Sequence, residues 1–418
     1  MLGLAQFFFW SLVFLAAYNA FWTFVMVRIL SRKAPPPAED ATLPKAAVLL
    51  CLRGADPNLT HSLRRLLRQD YPDYKLFIAV DSEKDPAWNI VRQTIAELGA
   101  TNVVVAPLRQ RLKTCSLKCS SLVQLLGDVD DSFEVIVLAD ADLESHATWL
   151  RELIAPMADP MVGATFGNRW FLPGQGWMGS LVRQLCNGPS IVVMLAAQIP
   201  WGGSLAIRSS VVKAGNLRDK WAHAIVDDGP VRTVVKQQRM KLQFVPSLLM
   251  ANREECDLAF AHQFLRRQLT WTSTYVRPWW PALLAYSLGS AAMWAGAVAM
   301  AIVCAARGDI SEATLFGSGA LILSTVVSVL WFILDGSARS VVRRQGELAI
   351  PASQSQLFRI PLALSLAVCI HLCASLSATF ARRIEWRGVK YEIQGPWKVR
   401  MLEDTAIAVT PNPQGVSI

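Results

Sequence analysis

Asp140 and Asp142 stand one residue apart, just after an apolar, β-branched run, Val135-Ile136-Val137-Leu138. On an extended segment, residues i and i+2 face the same way, so both carboxylates can reach one divalent cation. Mg2+ and Mn2+ favour carboxylate oxygens and are commonly held by one or two of them together with phosphate groups. A cation so placed neutralises a diphosphate as it leaves, which is Lewis-acid catalysis. Acidic surface turns also produce Asp-x-Asp. What sets this one apart is the strand in front of it, and a second run, residues 75–80, that leads straight into Asp81.

A third acidic element, Asp227-Asp228, follows Ala224-Ile225-Val226. One of these carboxylates could take the proton from an attacking hydroxyl, and adjacent acids raise each other's proton affinity. The same pair would also suit the start of a helix. A fourth element is Arg266-Arg267-Gln268-Leu269-Thr270-Trp271. Arg267 and Trp271, four apart, share one face of a helix. Arginine suits a phosphate, and tryptophan suits stacking on a sugar or lining an acceptor pocket; a basic and aromatic membrane belt would look the same. In Trp201-Gly202-Gly203-Ser204 the glycines would let the backbone approach a ligand closely, or simply make a turn.

Such residues need a frame. Between residues 45 and 265 short β-rich runs (46–52, 75–80, 102–106, 133–138) alternate with stretches of helical period (59–68, 88–98),. That order predicts an α/β domain with a mainly parallel sheet and helices on both faces. Ligands bind such sheets beyond the carboxyl ends of the strands, where Asp81, Asp140 and Asp142 fall.

The rest of the chain has a different texture. Of its 418 residues 53% are hydrophobic and only 17% charged, which points to chain in lipid rather than to a wholly soluble enzyme,. Residues 1–30 are apolar up to Arg28 and long enough to span a bilayer, which takes about 20 residues,. The basic residues follow the apolar run instead of preceding it. It therefore reads as a retained anchor that leaves the next residues in the cytoplasm. Residues 31–44, with Pro35, Pro36 and Pro37, read as a stiff linker, and 266–280 as an interfacial segment,. Within 281–381 two spans are expected (280–306 and 313–334), then a third apolar stretch (357–381), and 382–418 as a polar tail, unstructured beyond Glu403. Three crossings after the domain would strand Arg382, Arg383, Arg387 and Lys390 on the far side, against the positive-inside tendency. The third stretch is therefore re-entrant or interfacial, or the tail breaks the rule.

The net charge of +9 lies in clusters beside the apolar segments, such as Arg339, Arg343 and Arg344. That is the pattern of contact with anionic lipid head groups, and no nucleic-acid recognition motif accompanies it. The 8 cysteines form no CxxC pair and read as reduced, small hydrophobes,.

Taken in order, the N-terminal anchor, Asp81, Asp140-x-Asp142, Asp227-Asp228, Arg267-x-x-x-Trp271 and the later spans resemble the ceramide glucosyltransferases and their bacterial relatives (family 21), within the wider family 2 type of inverting transferases. Further agreement lies in Arg53-Gly54-Ala55-Asp56-Pro57-Asn58-Leu59, Asp70-Tyr71-Pro72-Asp73-Tyr74, Lys118 and the tail Trp386-Arg387-Gly388-x-x-Tyr391.

The resemblance implies a GT-A (Rossmann-like) catalytic domain, a UDP-sugar donor with UDP-glucose foremost, Mn2+ or Mg2+, and inversion by single displacement. It places Asp81, Lys118, Asp140 and Arg53 on the nucleotide, with Asp140 and Asp142 at the metal. Asp228 would be the base, with Asp227 beside it. Arg267, Trp271 and Trp201 would face acceptor and product. The family's Q/R-x-x-R-W element expects arginine where this chain has Thr270, so one contact is missing or is supplied by Arg266. Glu83 or Asp85 could also take the place given to Asp81. The acceptor implied is a membrane lipid such as ceramide, and the membrane a bacterial inner membrane, or Golgi or ER in a eukaryote. Competing readings are transfer to a hopanoid or polyprenyl phosphate, a processive polysaccharide synthase, and a nucleotide-binding membrane scaffold.

Overall fold

The structure, a computed structural model, describes residues 1–32 and 39–404; Pro35, Pro36, Pro37 and the chain after Asp404 lie outside the described residues. In chain order the elements are α1 (Leu2–Leu30), β1 (Ala46–Leu52), α2 (Leu59–Leu66), β2 (Tyr74–Val80), α3 (Pro86–Leu98), β3 (Val103–Pro107), α4 (Leu117–Asp128) and β4 (Val135–Ala139). Then come α5 (Trp149–Ile154), β5 (Val162–Phe171), α6 (Met178–Ala197), β6 (Ser204–Arg208), α7 (Ser209–Ala214), α8 (Leu217–Trp221), α9 (Asp228–Gln237) and β7 (Lys241–Asn252). The chain closes with α10 (Leu258–Tyr275), α11 (Trp280–Arg307), α12 (Ile310–Arg344), α13 (Gln354–Phe380) and strands β8 (Arg383–Trp386), β9 (Val389–Gly395) and β10 (Lys398–Asp404).

Seven strands form one sheet in the order β3-β2-β1-β4-β6-β5-β7. Its first four strands are parallel, β6 is antiparallel to both neighbours, and β5 and β7 are parallel. Strand β1 explains the layering. It is apolar at every position, as a strand covered on both faces must be. Ala46, Val48, Leu50 and Leu52 enter one core with α2 and α5, while Ala47 and Leu49 enter the other with α4 and α9. Local chemistry sets the helix ends. Asp85 caps α3 through the Ala87 N–H at 2.8 Å, Pro86 fills the first turn, and Gly99 closes the helix at φ +57°,.

The tail, read from the sequence as polar and as unstructured only beyond Glu403, holds more structure than its composition suggests. Residues 383–404 form an antiparallel three-stranded sheet. Ile384, Val389, Tyr391, Ile393 and Val399 are buried against Leu117, Ile225 and Val226 of the large domain. The Met401 N–H donates to the Lys113 carbonyl at 2.8 Å, and Tyr391 Oη accepts from the Leu117 N–H at 3.1 Å.

Helices α1, α11 (counted from Arg277), α12 and α13 are long and apolar enough to cross a membrane. α1 packs along α12 through Ala5, Leu12 and Ala16 against Phe316, Ala320 and Leu323. α12 returns to the large domain, where Asp335 accepts from Trp170 Nε1 at 2.9 Å, Gln184 Nε2 at 3.1 Å and Arg339 Nε at 2.5 Å.

Both ends of α13 touch that domain. Gln356 near its start donates to the Pro173 carbonyl at 3.1 Å, and the tail sheet that follows its end is docked as described. Along its length α13 lies against α6 and α10, with Ile360, Ala363 and Ala367 packed on Phe264 and Leu185. Arg387 and Lys390 belong to the tail sheet that follows α13 and docks on the large domain.

Candidate active site

Asp81, Arg53, Lys118, Asp140, Asp142, Trp201, Asp227, Asp228, Arg267 and Trp271 all line one cleft at the carboxyl ends of β1, β2 and β4. Each arrives there by its element. β4 ends in Ala139 and delivers Asp140 and Asp142; β2 ends in Val80 and delivers Asp81. Lys118 sits in the first turn of α4, whose cap is the Ser116 hydroxyl accepting from the Cys119 N–H at 3.1 Å. Arg267 and Trp271 share a face of α10, which forms the wall nearest the long apolar helices.

The acidic groups are tied by one cation. Lys118 Nζ lies 2.6 Å from Asp140 Oδ1 and 2.9 Å from Asp227 Oδ2. Burial works against the lysine's charge, but the two carboxylates outweigh it and hold the group well above its ordinary value. Burial would likewise raise Asp140, yet Lys118 and then Arg169 keep it below the usual carboxylate range. Asp142 goes the other way: burial and the Asp140 charge push it up. Asn252 Nδ2 donates to Asp142 Oδ2 at 3.1 Å. Asp228 is pushed up to about 7 by burial and by Asp227, with Lys118 opposing. Asp227 makes no side-chain cap to α9 and pairs with Lys118 instead, so this pair is not merely a helix start.

The two glycines before β6 serve the carboxylates. A Cβ on Gly202 would stand 2.0 Å from Asp227 Oδ2, and one on Gly203 would stand 2.5 Å from Asp140 Oδ2 and 2.2 Å from the Trp201 ring. The close approach expected of these glycines is therefore made to the acids themselves.

At the far end of the cleft Asp81 Oδ2 binds Arg53 at 3.0 Å and Arg111 at 2.9 Å, and both arginines also bind Asp404 at the end of β10. Asp81 Oδ1 is buried without a hydrogen-bond partner among the described residues, an acceptor left open to a ligand donor,. Asp85 is occupied as the α3 cap and by the Gly54 N–H, and Glu83 is exposed, so neither competes with Asp81.

Arg169 at the end of β5, Arg183 on α6 and Glu254 after β7 line the cleft and escaped the sequence reading, and Arg387 and Tyr391 of the tail line it too. Arg183 pairs with Glu254 at 2.8 Å. Burial pushes Glu254 up to about 7. Arg387 Nη2 binds Asp56 at 3.2 Å. Tail and loop motifs had flagged Arg387, Tyr391 and Asp56, but nothing local marked them as part of one wall. Thr270 is buried, its hydroxyl donating to the Arg266 carbonyl at 2.8 Å. Arg266 itself reaches the Arg383 carbonyl at 3.5 Å and does not line the cleft, so it does not stand in for an arginine at position 270.

Among the described residues no three ligating side chains converge on a closed metal site. Asp140 and Asp142 fit a different arrangement, in which a cation shares its remaining positions with phosphate oxygens and water. The cleft thus combines a paired carboxylate seat, an acid titrating near neutrality and an open acceptor at Asp81.

The family model described as glycosyl transferase family 21 matches residues 8–398. Ceramide glucosyltransferase of Pyricularia oryzae is 30% identical over 101 residues, 23% of this chain and 20% of that protein. The ceramide glucosyltransferase of Komagataella phaffii is 30% identical over 98 residues, 23% and 18% of the two chains. The chain thus matches about a fifth of the length of these curated relatives. Among solved structures, a mannosyltransferase from Pyrobaculum calidifontis, determined with GDP-Man and Mn2+, has a TM-score of 0.47 at 14% identity, over 90% of this chain and 97% of that one. A glucosyl-3-phosphoglycerate synthase from Mycobacterium tuberculosis has a TM-score of 0.37 at 13% identity, over 56% and 81%.

Proposed function

This chain belongs to glycosyl transferase family 21, and we propose that it moves a hexose from a UDP-sugar, UDP-glucose foremost, to the hydroxyl of a membrane lipid such as ceramide, with inversion. Its large domain is of GT-A type, a mixed and mainly parallel sheet. The observation that carries the proposal is the convergence of Asp81, Asp140, Asp142 and Asp228 in one cleft whose wall, α10, leads directly into the apolar helices. A soluble acceptor would need no such wall.

In this reading the uracil ring lies toward Asp81, whose open Oδ1 suits an imide N–H donor. Asp140 and Asp142 hold Mn2+ or Mg2+, which supplies charge neutralisation to the departing diphosphate. Asp228 takes the proton from the acceptor hydroxyl as its oxygen bonds to the anomeric carbon and the bond to the diphosphate breaks on the opposite face. Lys118 keeps Asp140 and Asp227 beside each other while this happens. The catalytic domain is placed in the cytoplasm, where nucleotide sugars are made, and α10 and α13 lie at the bilayer surface.

The test is transfer from labelled UDP-sugars to ceramide in detergent, with and without Mn2+, comparing wild type with Asp228→Asn. Metal-dependent glycolipid that is lost in the variant is the expected result. UDP release without glycolipid would replace ceramide by another lipid acceptor, and no release from any donor would overturn the transferase reading.

A further inference from the structure

Six cationic side chains line the cleft: Arg53, Lys118, Arg169, Arg183, Arg267 and Arg387. Four of them are engaged by carboxylates: Arg53 by Asp81, Lys118 by Asp140 and Asp227, Arg183 by Glu254, and Arg387 by Asp56. The guanidiniums of Arg169 and Arg267 have neither a hydrogen bond nor an ion pair among the described residues. What they have instead is aromatic surface. Arg169 lies 5.1 Å from the Phe264 ring centre, 5.4 Å from Phe171 and 5.5 Å from Trp201. Arg267 lies 5.8 Å from the same Phe264 ring and 5.9 Å from Trp386.

Arg183 also lies 5.8 Å from the Phe264 ring, with its charge met by Glu254; the two unmatched charges repel each other, and an aromatic face offsets only part of what a guanidinium loses by leaving water,. Burial first, and then the Arg169 charge, lower Arg267 to about 10. A guanidinium on a ring face keeps its edge donors, the fork that fits two oxygens of a phosphate. Asp142 and Asp228 line the same cleft, yet among the described residues neither forms an ion pair with Arg169 or Arg267, so both forks stay free for an anion from outside.

We propose that Arg169 and Arg267, set about the Phe264 ring, form a seat for a phosphate group. The inference deepens the transferase reading and rests on it for the two sources of that group: the diphosphate of the nucleotide, or a phosphate on the lipid acceptor. Arg169 is the decisive member, because it lies on β5, outside every motif noted in the sequence, and its charge reaches both Asp140 and Asp142.

The experiment is equilibrium binding to the full chain in detergent, followed by tryptophan fluorescence, with uridine, UDP and dodecyl phosphate as probes. The variants are Arg169→Gln and Arg169→Lys. If the nucleotide is the source, Arg169→Gln weakens UDP about tenfold to a hundredfold and leaves uridine unchanged, which also shows that the variant is folded. If the lipid is the source, the same loss falls on dodecyl phosphate and spares UDP. Arg169→Lys, which keeps charge but not the fork, lies between in either case. Unchanged affinity for both phosphates in Arg169→Gln would overturn the seat. Failure of the transferase reading is a separate result, absence of glycolipid from a protein that still binds UDP.

Discussion

The guanidinium of Arg387 donates to the backbone carbonyl of Arg53 at 2.6 Å, across a sequence separation of 334 residues. It thereby pins the tail sheet to the strand-end loop that carries Arg53, the partner of Asp81. Asp404 on β10 completes the same cluster through Arg53 and Arg111. Arg387→Ala is expected to weaken UDP binding about tenfold or more. The readout is binding of UDP to purified protein, and unaltered affinity would remove the tail from the donor site.

Asp228 as base must be deprotonated to act. Its pKa is raised to about 7 by burial and by Asp227, so kcat/KM should rise with pH, reach half its plateau near 7 and level off above,. Asp228→Asn should lower the rate by about 10² to 10⁴ at every pH and abolish that limb. A profile already flat from pH 5 upward would assign the base elsewhere.

Lys118 opposes the upward shift of Asp228 and bridges Asp140 to Asp227. Lys118→Met removes that opposition, so the acidic limb should move to higher pH while the plateau falls. The sign is the diagnostic point: a limb that moves toward acid would contradict the placement of Lys118.

Gly202→Ala puts a methyl 2.0 Å from Asp227 Oδ2, a contact that only movement of the carboxylate or the loop can relieve. A misplacement of about 1 Å at reacting groups can cost about a hundredfold in rate. The expected outcome is that loss of turnover with thermal stability close to wild type, measured on the same preparation.

Asp335 is buried and receives Arg339, Trp170 Nε1 and Gln184 Nε2, so it fastens α12 to the large domain. Asp335→Ala leaves a buried guanidinium and two donors without their acceptor, a loss of about 3–5 kcal/mol. Thermal unfolding in detergent should show it as a clear drop in midpoint, while the surviving folded protein still binds UDP.

The parts of this molecule legible in the sequence were those set by neighbouring residues. β1 is apolar throughout and was bounded as Ala46–Leu52 from that alone. Asp81, Asp140 and Asp142 follow strands directly, so their place in the cleft came from local geometry. Arg169 was not legible, because β5 is recognised as a strand only through its pairing with β6 and β7, far along the chain. The tail sheet was missed although its signal was present. Val389, Tyr391 and Ile393 are buried alternately with polar residues, the period of a half-buried strand,. That alternation is short and lies within a charged stretch, and only its contact with Leu117 and Val226 turns it into a fold. α13 has the composition of a span, and composition does not record that Gln356 near its start and the sheet after its end both touch the large domain.

The tail sheet also orders events during biosynthesis. Arg53 leaves the ribosome early, but its partners Arg387 and Asp404 are made only after α11, α12 and α13. The Arg53 end of the cleft therefore cannot be completed until those helices have been made. A chain stalled in insertion carries the acidic residues but lacks the Arg387 and Asp404 contacts of Arg53. Under the proposed transferase reading, activity is in this way coupled to correct delivery into the membrane.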